Sequence, residues 1–224
     1  MNTYLDGEGG VFMEKSYTKI YTTGAVPLKI RPGHFTTNHA HINYYIDVTT
    51  LKARTKEAEE VAQALVGMYL YDTVIDTIVC MEGTEVIGAF LAEELAKGGF
   101  LSTNAHKSIY VISPEFNNNS QIIFRDNLVP MIRDKHVMIL MASVTTGRTL
   151  NKAVESIQYY GGILQGASAI FSAMDSLDGV PIKSVFGKKD LPDYTYSDYR
   201  DCPLCKAGKK IDALVNTFGY SPMG

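Results

Sequence analysis

The sequence lacks several features that would indicate a specialised class of protein. Its 224 residues contain no tryptophan and only three cysteines, Cys80, Cys202 and Cys205. Three cysteines are too few for the disulfide framework of a small secreted domain, and sparse cysteine suits a reducing compartment. The longest apolar runs, such as Val137 to Ala142, are far too short to span a bilayer.

A strong charge of either sign is also missing. The 21 Lys and Arg residues nearly balance the 24 Asp and Glu residues, which leaves a formal net charge of −3. This balance gives no reason to expect a nucleic-acid partner or an acidic membrane surface. The first residues, MNTYLDGEGG, have neither the basic nor the apolar region of a signal peptide. We therefore expect a cytoplasmic protein with no nucleic-acid or membrane partner.

What the sequence does contain is enough apolar material for a substantial core. Hydrophobic residues make up 46% of the chain, and a chain of this length buries roughly 70% of the surface that its unfolded form exposes. Changes of pattern along the chain divide it into an N-terminal hood segment (1–45), an α/β core (46–200) and a C-terminal tail that carries a Cys-x-x-Cys pair (201–224).

Hydrophobic spacing predicts alternating strands and helices from about residue 56 onward. Helical periodicity covers 56–71, 84–97 and 149–160, and β-branched or continuous apolar runs predict strands at 73–80, 108–112, 137–142, 163–173 and 182–186. Thr84 and Gly98-Gly99 are suitable caps for the middle helix. Residues 113–120 form a loop, and 121–124 form the return arm of a hairpin. This order predicts an α/β fold with a central, mostly parallel sheet flanked by helices.

The loop after the central strand is the first candidate site, because ligands of open α/β sheets bind where strands end and helices begin. It contains Thr145, Thr146, Gly147, Arg148 and Thr149. Small and hydroxylated residues at a helix start suit a phosphate, which backbone N–H groups would bind. Two alternatives stay open from spacing alone. Thr145 or Thr146 could simply cap the helix, and Arg148 could be a solvated helix residue.

A second candidate loop follows the strand that ends at Cys80. It consists of Glu82, Gly83, Thr84 and Glu85, and it also places backbone donors at a helix start. The two carboxylates would repel an anion unless a cation lay between them. This loop therefore indicates a pyrophosphate-side or metal-side contact, with helix capping as the alternative.

The order and spacing of these motifs resemble the type I phosphoribosyltransferases, and most of all orotate phosphoribosyltransferase. Gly33 to Thr37 followed by Tyr44 to Asp47 is similar to the hood segment of that family, and the second candidate loop lies where its pyrophosphate loop lies. Val137 to Leu150 resembles the phosphoribosyl pyrophosphate (PRPP) motif, and Asp201 to Gly208 resembles the cysteine-bearing tail of one branch. The resemblance covers about residues 28 to 210.

The resemblance carries expectations about function. It implies that the protein binds PRPP or a nucleoside monophosphate and that it forms a homodimer. An active member would transfer phosphoribose to a pyrimidine-type base, with Mg²⁺ bridging ribose and pyrophosphate; without activity no cofactor is implied. No resident metal site and no catalytic residue is predicted.

Three departures from the family pattern leave activity open. First, Met141 and Ala142 (or Ala142 and Ser143) replace two adjacent acids that hold the ribose hydroxyls in the family. Second, residues 113–120 contain no Lys or Arg. Third, Asn38-His39 replaces a Ser-Gly pair. Either the protein is an active transferase in which Glu82, Glu85 or Asp47 compensates, or it is a catalytically weakened nucleotide-binding regulatory or interaction protein.

The remaining chemically active residues favour structural roles. Cys202 and Cys205 supply only two of the four ligands of structural zinc, and Cys80 is expected to be buried, so we expect no complete metal site within one chain. His39 and His41 would point to one side of an extended segment, as hood residues or as contacts to a metal or an anion. The tyrosines Tyr194, Tyr196 and Tyr199 are expected to pack a surface loop or a partner subunit.

Overall fold

The structure is a computed structural model, and it describes residues 17–21, 26–97, 102–105 and 107–223. Its strands are β1 (Thr18–Tyr21), β2 (Pro27–Thr36), β3 (His41–Asp47), β4 (Thr77–Cys80), β5 (Tyr110–Ile112), β6 (Glu115–Phe116), β7 (Ile122–Ile123), β8 (His136–Val144), β9 (Ile163–Ser172), β10 (Ser176–Leu177), β11 (Val180–Gly187), β12 (Tyr196–Ser197), β13 (Ala213–Asn216) and β14 (Gly219–Pro222). Its α-helices are α1 (Thr49–Ala53), α2 (Thr55–Val66), α3 (Glu85–Lys97), α4 (Arg148–Tyr159) and α5 (Pro203–Lys206). No helix of the described residues is long and apolar enough to cross a membrane.

The core is a six-stranded sheet in the order β10-β11-β9-β8-β4-β5, in which every neighbouring pair is parallel except the β10–β11 hairpin. Side chains of β8 alternate between two hydrophobic clusters. Met138 and Leu140 join the cluster that includes α2 and α3, whereas Val137, Ile139 and Met141 join the cluster that includes α4. Both faces of the sheet are therefore covered by helices, which confirms the predicted α/β class and the central position of residues 137–142.

A second six-stranded sheet forms the hood. Its order is β12-β3-β2-β13-β14, with β1 added to β2. The N-terminal segment supplies β1, β2 and β3, and β3 extends past residue 45 to Asp47. The tail supplies β13 and β14, and β13 lies parallel to β2. The two ends of the chain therefore meet in one sheet, a long-range pairing that local sequence patterns do not report.

Two predicted boundaries are wrong, and each has a visible cause. The helix predicted over 56–71 ends at Val66, because the chain then turns and buries Tyr69. The Tyr69 hydroxyl lies 2.5 Å from the hydroxyl of Ser168 in β9. The strand predicted from residue 73 begins at Thr77, because the Asn104 side chain pairs with the backbone of Thr73 and Ile75 instead. Gly98-Gly99 lies outside the described residues. Residues Ile122–Ile123 form the return arm of a hairpin as predicted, but its first strand, Glu115–Phe116, lies within the segment predicted as a loop.

Gly88 provides a test of how tightly α3 packs on the sheet. A Cβ atom at this position would lie 2.4 Å from Cys80 Sγ and 3.1 Å from Val111 Cγ1. Alanine normally stabilises a helix relative to glycine, but overpacking of a buried site reverses the sign. We expect Gly88→Ala to lower the free energy of unfolding by about 1–3 kcal/mol in urea denaturation. The matched control is Gly67→Ala, because a Cβ atom at Gly67 would meet nothing within 4 Å beyond its neighbours in the chain. A comparable loss of stability in both variants would contradict this packing.

Candidate functional site

A cavity of about 230 Å³ lies where β4 and β8 end. Five segments line it: the loop that follows β8, the Glu82 turn, the hood turn between β2 and β3, the stretch from the end of β3 into α1, and the β13–β14 hairpin. Its lining includes Thr37, Asn38, His39, Lys52, Glu82, Met141, Ala142, Ser143, Thr145, Thr146, Gly147, Arg148, Thr149, Leu150, Asn216 and Thr217. The structure thus brings the predicted phosphate loop, Glu82 and the position of the missing acidic pair into one cavity.

Helix α4 begins at this cavity without a side-chain cap. Gly147 occupies the N-cap position, and no side-chain hydrogen bond caps the helix. The first intrahelical bond runs from Asn151 N–H to the Gly147 carbonyl, so the amides of Thr149 and Leu150 in the first turn have no intrahelical partner. Both residues line the cavity. The Thr146 hydroxyl accepts the Arg148 N–H at 3.5 Å, so the capping alternative is realised only as this long contact to the first helical amide. The amides of Thr149 and Leu150 remain available to an anion.

The conformation of Gly147 accounts for the missing cap. Its φ of +75° is left-handed, which glycine adopts at no steric cost. A Cβ atom there would lie 2.6 Å from Leu177 Cδ2 in the β10–β11 hairpin. Serine, threonine or aspartate, the residues that usually cap helices, would therefore be strained at this φ and would displace the Leu177 side chain.

Thr145 has a structural partner inside the protein. Its hydroxyl lies 3.0 Å from the hydroxyl of Tyr194, which is buried against Phe171. Burial raises the pKa of Tyr194 to about 12, so its hydroxyl stays protonated and able to donate. The expectation that Tyr194 packs a surface loop is wrong, because this side chain is buried and its hydroxyl contacts the loop that follows β8. Tyr196 and Tyr199 are exposed.

Glu82 supplies a carboxylate beside the positions where the acidic pair is missing. Its Oε2 atom accepts the backbone N–H groups of Ala142 at 3.2 Å and Ser143 at 3.3 Å. Burial raises the pKa of Glu82, and these two hydrogen bonds and the charge of Lys52 oppose the shift. The turn needs left-handed backbone at Glu82 and Gly83, with φ of +58° and +80°. Met141 points into the core.

Lys52 is a cavity residue that sequence analysis missed. Its Nζ atom donates to the Glu82 carbonyl at 2.6 Å and to the Thr217 carbonyl at 3.3 Å. Burial lowers the pKa of Lys52, and the carboxylate of Glu82 acts in the opposite direction. The available signal was a single lysine in the short helix that follows β3, since a strand end is where ligand-binding residues collect.

The other acids named from the sequence do not line the cavity. Glu85 is exposed, and its carboxylate accepts a hydrogen bond from the Ser113 hydroxyl at 2.6 Å. The Asp47 carboxylate accepts the Thr49 N–H at 3.0 Å. Thr84 is buried, and its hydroxyl donates to the carbonyls of Met81 and Leu140. Its hydroxyl therefore binds the strand ends instead of capping α3, and Glu82 is the carboxylate of this loop that borders the cavity.

The histidines separate into two environments. His39 lies in the hood turn and lines the cavity; burial lowers its pKa, as do the charges of Arg148 and Lys152. His41 is buried and meets His34, Cys202 and Cys205. His39 and His41 both border a second, smaller cavity beside the hood turn, but only His41 joins the cluster of metal-ligating residues. The expectation that the chain cannot assemble four metal-ligating residues is wrong.

Comparison with solved structures finds phosphoribosyltransferases. Orotate phosphoribosyltransferase of Mycobacterium tuberculosis H37Rv, in complex with Fe(III) dicitrate, aligns with a TM-score of 0.50 and 15% identity over 73% of this chain and 92% of that chain. A phosphoribosyltransferase from Corynebacterium diphtheriae aligns with a TM-score of 0.52 and 14% identity over 73% and 90%. The chain has the fold of the type I phosphoribosyltransferases.

A larger protein contains the same fold. UMP synthase of Leishmania donovani aligns with a TM-score of 0.52 and 19% identity over 73% of this chain but 34% of that protein. No family model and no curated protein matches the sequence. At these identities the likeness establishes the phosphoribosyltransferase fold, and the cavity residues must carry any argument about ligands.

The Glu82 carboxylate gives a pH-dependent prediction. Its pKa is higher in the folded state than in the unfolded state, so the folded protein loses stability as pH rises from about 4 and the carboxyl ionises, until it is ionised in both states. Glu82→Gln keeps an acceptor for the two amides but carries no charge. We expect its stability relative to wild type to increase over that range in urea denaturation. Glu155→Gln, at an exposed position in α4, should follow the wild-type curve; identical profiles for both variants would contradict the assignment.

Proposed function

We propose that this protein binds a ribose 5-phosphate ligand, PRPP or a nucleoside 5′-monophosphate, in the cavity at the start of α4. The observation that carries the proposal is the uncapped N-terminus of α4, which opens onto that cavity. Two unpaired amides and the positive end of the helix dipole favour a phosphate at this point. Thr146 and Thr149 line the same place and add hydroxyl donors.

The remaining cavity residues suit the rest of such a ligand. One oxygen of Glu82 accepts the Ala142 and Ser143 amides, which leaves the other oxygen to accept a hydrogen bond from a ribose hydroxyl. The ammonium of Lys52, held beside the Glu82 turn, supplies a positive charge for a second phosphate or a pyrophosphate. Arg148 at the cavity rim adds another positive charge.

Mg²⁺, which the resemblance implies for an active enzyme, fits this cavity only in part. The ion prefers oxygen ligands and usually takes one or two protein carboxylates together with phosphate oxygens. Among the described lining residues, Glu82 provides the carboxylate. Glu82 would therefore hold Mg²⁺ jointly with the hydroxyl and pyrophosphate oxygens of PRPP, and the ion would neutralise charge on the pyrophosphate.

Phosphoribosyl transfer to a pyrimidine-type base is the second candidate function. Glu82 and Lys52 favour it, because they bring to the cavity the carboxylate and the cation that residues 141–142 and 113–120 lack. Arg125 does not fill that role: it pairs with Glu115 at 2.6 Å in the β6–β7 hairpin. In transfer, a ring nitrogen of the base would bond to the ribose C1 as pyrophosphate departs. A protein that binds without transfer would act as a nucleotide-responsive regulatory or interaction protein.

Calorimetry separates these functions. PRPP and nucleoside monophosphates are titrated with and without Mg²⁺, and base consumption is then followed with PRPP present. Mg²⁺-dependent PRPP binding with base consumption supports the transferase. Binding of a monophosphate without turnover supports a nucleotide-binding regulator. Absence of binding by every ligand would refute the proposed function. The homodimer that the resemblance implies is tested by sedimentation of the same samples.

Thr146→Val tests the phosphate loop. Valine keeps the shape of threonine and removes the hydroxyl, so one hydrogen bond to a charged group is lost. We expect the dissociation constant for a nucleoside monophosphate to rise about tenfold or more. Thr55→Val, in the first turn of α2 and away from the cavity, is the matched control. Unchanged affinity in Thr146→Val would place the phosphate elsewhere.

Lys52→Met tests the orientation of the ligand. The substitution keeps an unbranched apolar stem and removes the positive charge beside the Glu82 turn. We expect PRPP to lose more affinity than a nucleoside monophosphate, because only PRPP carries a pyrophosphate for this side of the cavity. Calorimetry with both ligands measures the difference. Equal losses for the two ligands would show that Lys52 does not face the pyrophosphate.

A further inference from the structure

Four metal-ligating side chains from distant parts of the sequence meet on the hood. They are His34 and His41 from β2 and β3, and Cys202 and Cys205 from the segment around α5. One ligand atom from each residue lies within 4.8 Å of all the others. His34, His41 and Cys202 are buried, and Cys205 is exposed. This cluster is separate from the cavity described above, whose lining contains none of the four residues.

The strand geometry explains why the two histidines meet. Phe35 and Ile42 are paired across β2 and β3 and both point into the core. Side chains alternate along a strand, so His34 and His41, which directly precede these residues, lie on the opposite face. The tail crosses that face, where the Lys209 carbonyl lies 2.8 Å from His34 Nδ1. It then joins the edge of β2: the His34 N–H donates to the Asp212 carboxylate at 2.7 Å, and the Asp212 N–H donates to the His34 carbonyl at 2.7 Å.

The spacing of the ligand atoms matches a tetrahedral ion. His34 Nε2 lies 3.1 Å from His41 Nδ1, 3.5 Å from Cys202 Sγ and 3.6 Å from Cys205 Sγ, and Cys205 Sγ lies 3.2 Å from His41 Nδ1. Zinc–ligand bonds of about 2.0–2.3 Å in a tetrahedron separate neighbouring ligand atoms by about 3.3–3.8 Å. We propose that His34, His41, Cys202 and Cys205 form a structural zinc site.

A second contact prepares His34 to bind a metal. Its Nδ1 atom lies 2.8 Å from the Lys209 carbonyl, and a carbonyl only accepts, so Nδ1 carries the proton. In the neutral ring Nε2 then holds a lone pair, and it points at the other three ligands. A backbone carbonyl on the second nitrogen is the usual partner of a metal-bound histidine. Two thiolates and two imidazoles favour zinc over the hard cations, which prefer oxygen.

The ion would connect two walls of the ligand cavity. The stretch between the two histidines contains the hood turn, whose Thr37, Asn38 and His39 line the cavity. The tail that carries the cysteines continues into the β13–β14 hairpin, which lines the cavity from another side. Four protein ligands leave no open coordination position, so the role of the ion is to hold the tail on the hood and not to take part in chemistry.

Metal content tests the site directly and independently of ligand binding in the cavity. The full chain is purified under reducing conditions, loaded with zinc, passed over a chelating resin and measured by plasma mass spectrometry. We expect about one zinc per chain, and we expect Co²⁺ in its place to show the visible absorption of a tetrahedral site with thiolate ligands. Less than a tenth of this occupancy, or Co²⁺ absorption typical of octahedral oxygen ligands, would overturn the proposal.

Substitutions assign the ligands. Cys205→Ser changes an exposed side chain and should reduce zinc retained on the resin at least tenfold, and His41→Ala should do the same. Cys80→Ala is the matched control: Cys80 is a buried core cysteine, and its loss should leave one zinc per chain. Wild-type retention in Cys205→Ser and His41→Ala would overturn the ligand assignment.

Thermal unfolding gives a further readout that does not depend on activity. Because zinc binds only the folded arrangement of these ligands, its removal by a chelator should lower the Tm of the wild type by about 5 °C or more. The same chelator should leave the Tm of Cys205→Ser unchanged. An unchanged wild-type Tm would show that no bound ion stabilises the hood.

Discussion

The contact between Gly147 and Leu177 determines how the central strand passes into its helix. Leu177 belongs to a short hairpin at the edge of the core sheet, and it lies where a Cβ of residue 147 would be. A glycine with left-handed backbone is therefore required at the N-cap, and the helix begins with unpaired amides. These amides would be a cost if the protein covered them with apolar side chains. They open instead onto a cavity lined by hydroxyls and by charges of both signs.

The hood contributes to that cavity as much as the core does. Its sheet takes strands from both ends of the chain, so the hood turn and the terminal hairpin approach the phosphate loop from different directions. Lys52 joins these parts, since its ammonium donates to a carbonyl of the Glu82 turn and to one in the terminal hairpin. The proposed zinc site would also link the hood turn to the tail that continues into the β13–β14 hairpin. The walls of the cavity and the attachment of the tail are therefore physically connected.

Local patterns predicted the core well. Continuous apolar runs marked the buried strands, and helical spacing marked α3 and α4 to within a residue or two, because the buried face of an element shows in the spacing of its own apolar residues. The position of the loop between β8 and α4 at the edge of a cavity was also predictable, since it follows the central strand. The exposure of its amides was not predictable, because a Cβ atom at residue 147 would meet Leu177, which lies in a different part of the sequence.

Lys52 and the metal-ligating cluster escaped prediction for the same physical reason. Lys52 donates to the Thr217 carbonyl across 165 residues of sequence, and His34 meets Cys202 across 168. Contacts at such separation are set by strand order and not by local periodicity. Tyr194 escaped in a different way. A tyrosine among other tyrosines in a polar segment suggested a surface, whereas its ring packs on Phe171 and its hydroxyl meets Thr145.

The most direct test of the central claim is an NMR titration of the backbone amides with inorganic phosphate. The account predicts saturable shifts at the amides of Thr149 and Leu150, because these N–H groups would bind the anion at the start of α4. Amides of the β6–β7 hairpin, remote from the cavity, serve as the internal reference. Saturable shifts confined to other parts of the chain, or no saturable shift at all, would contradict the account.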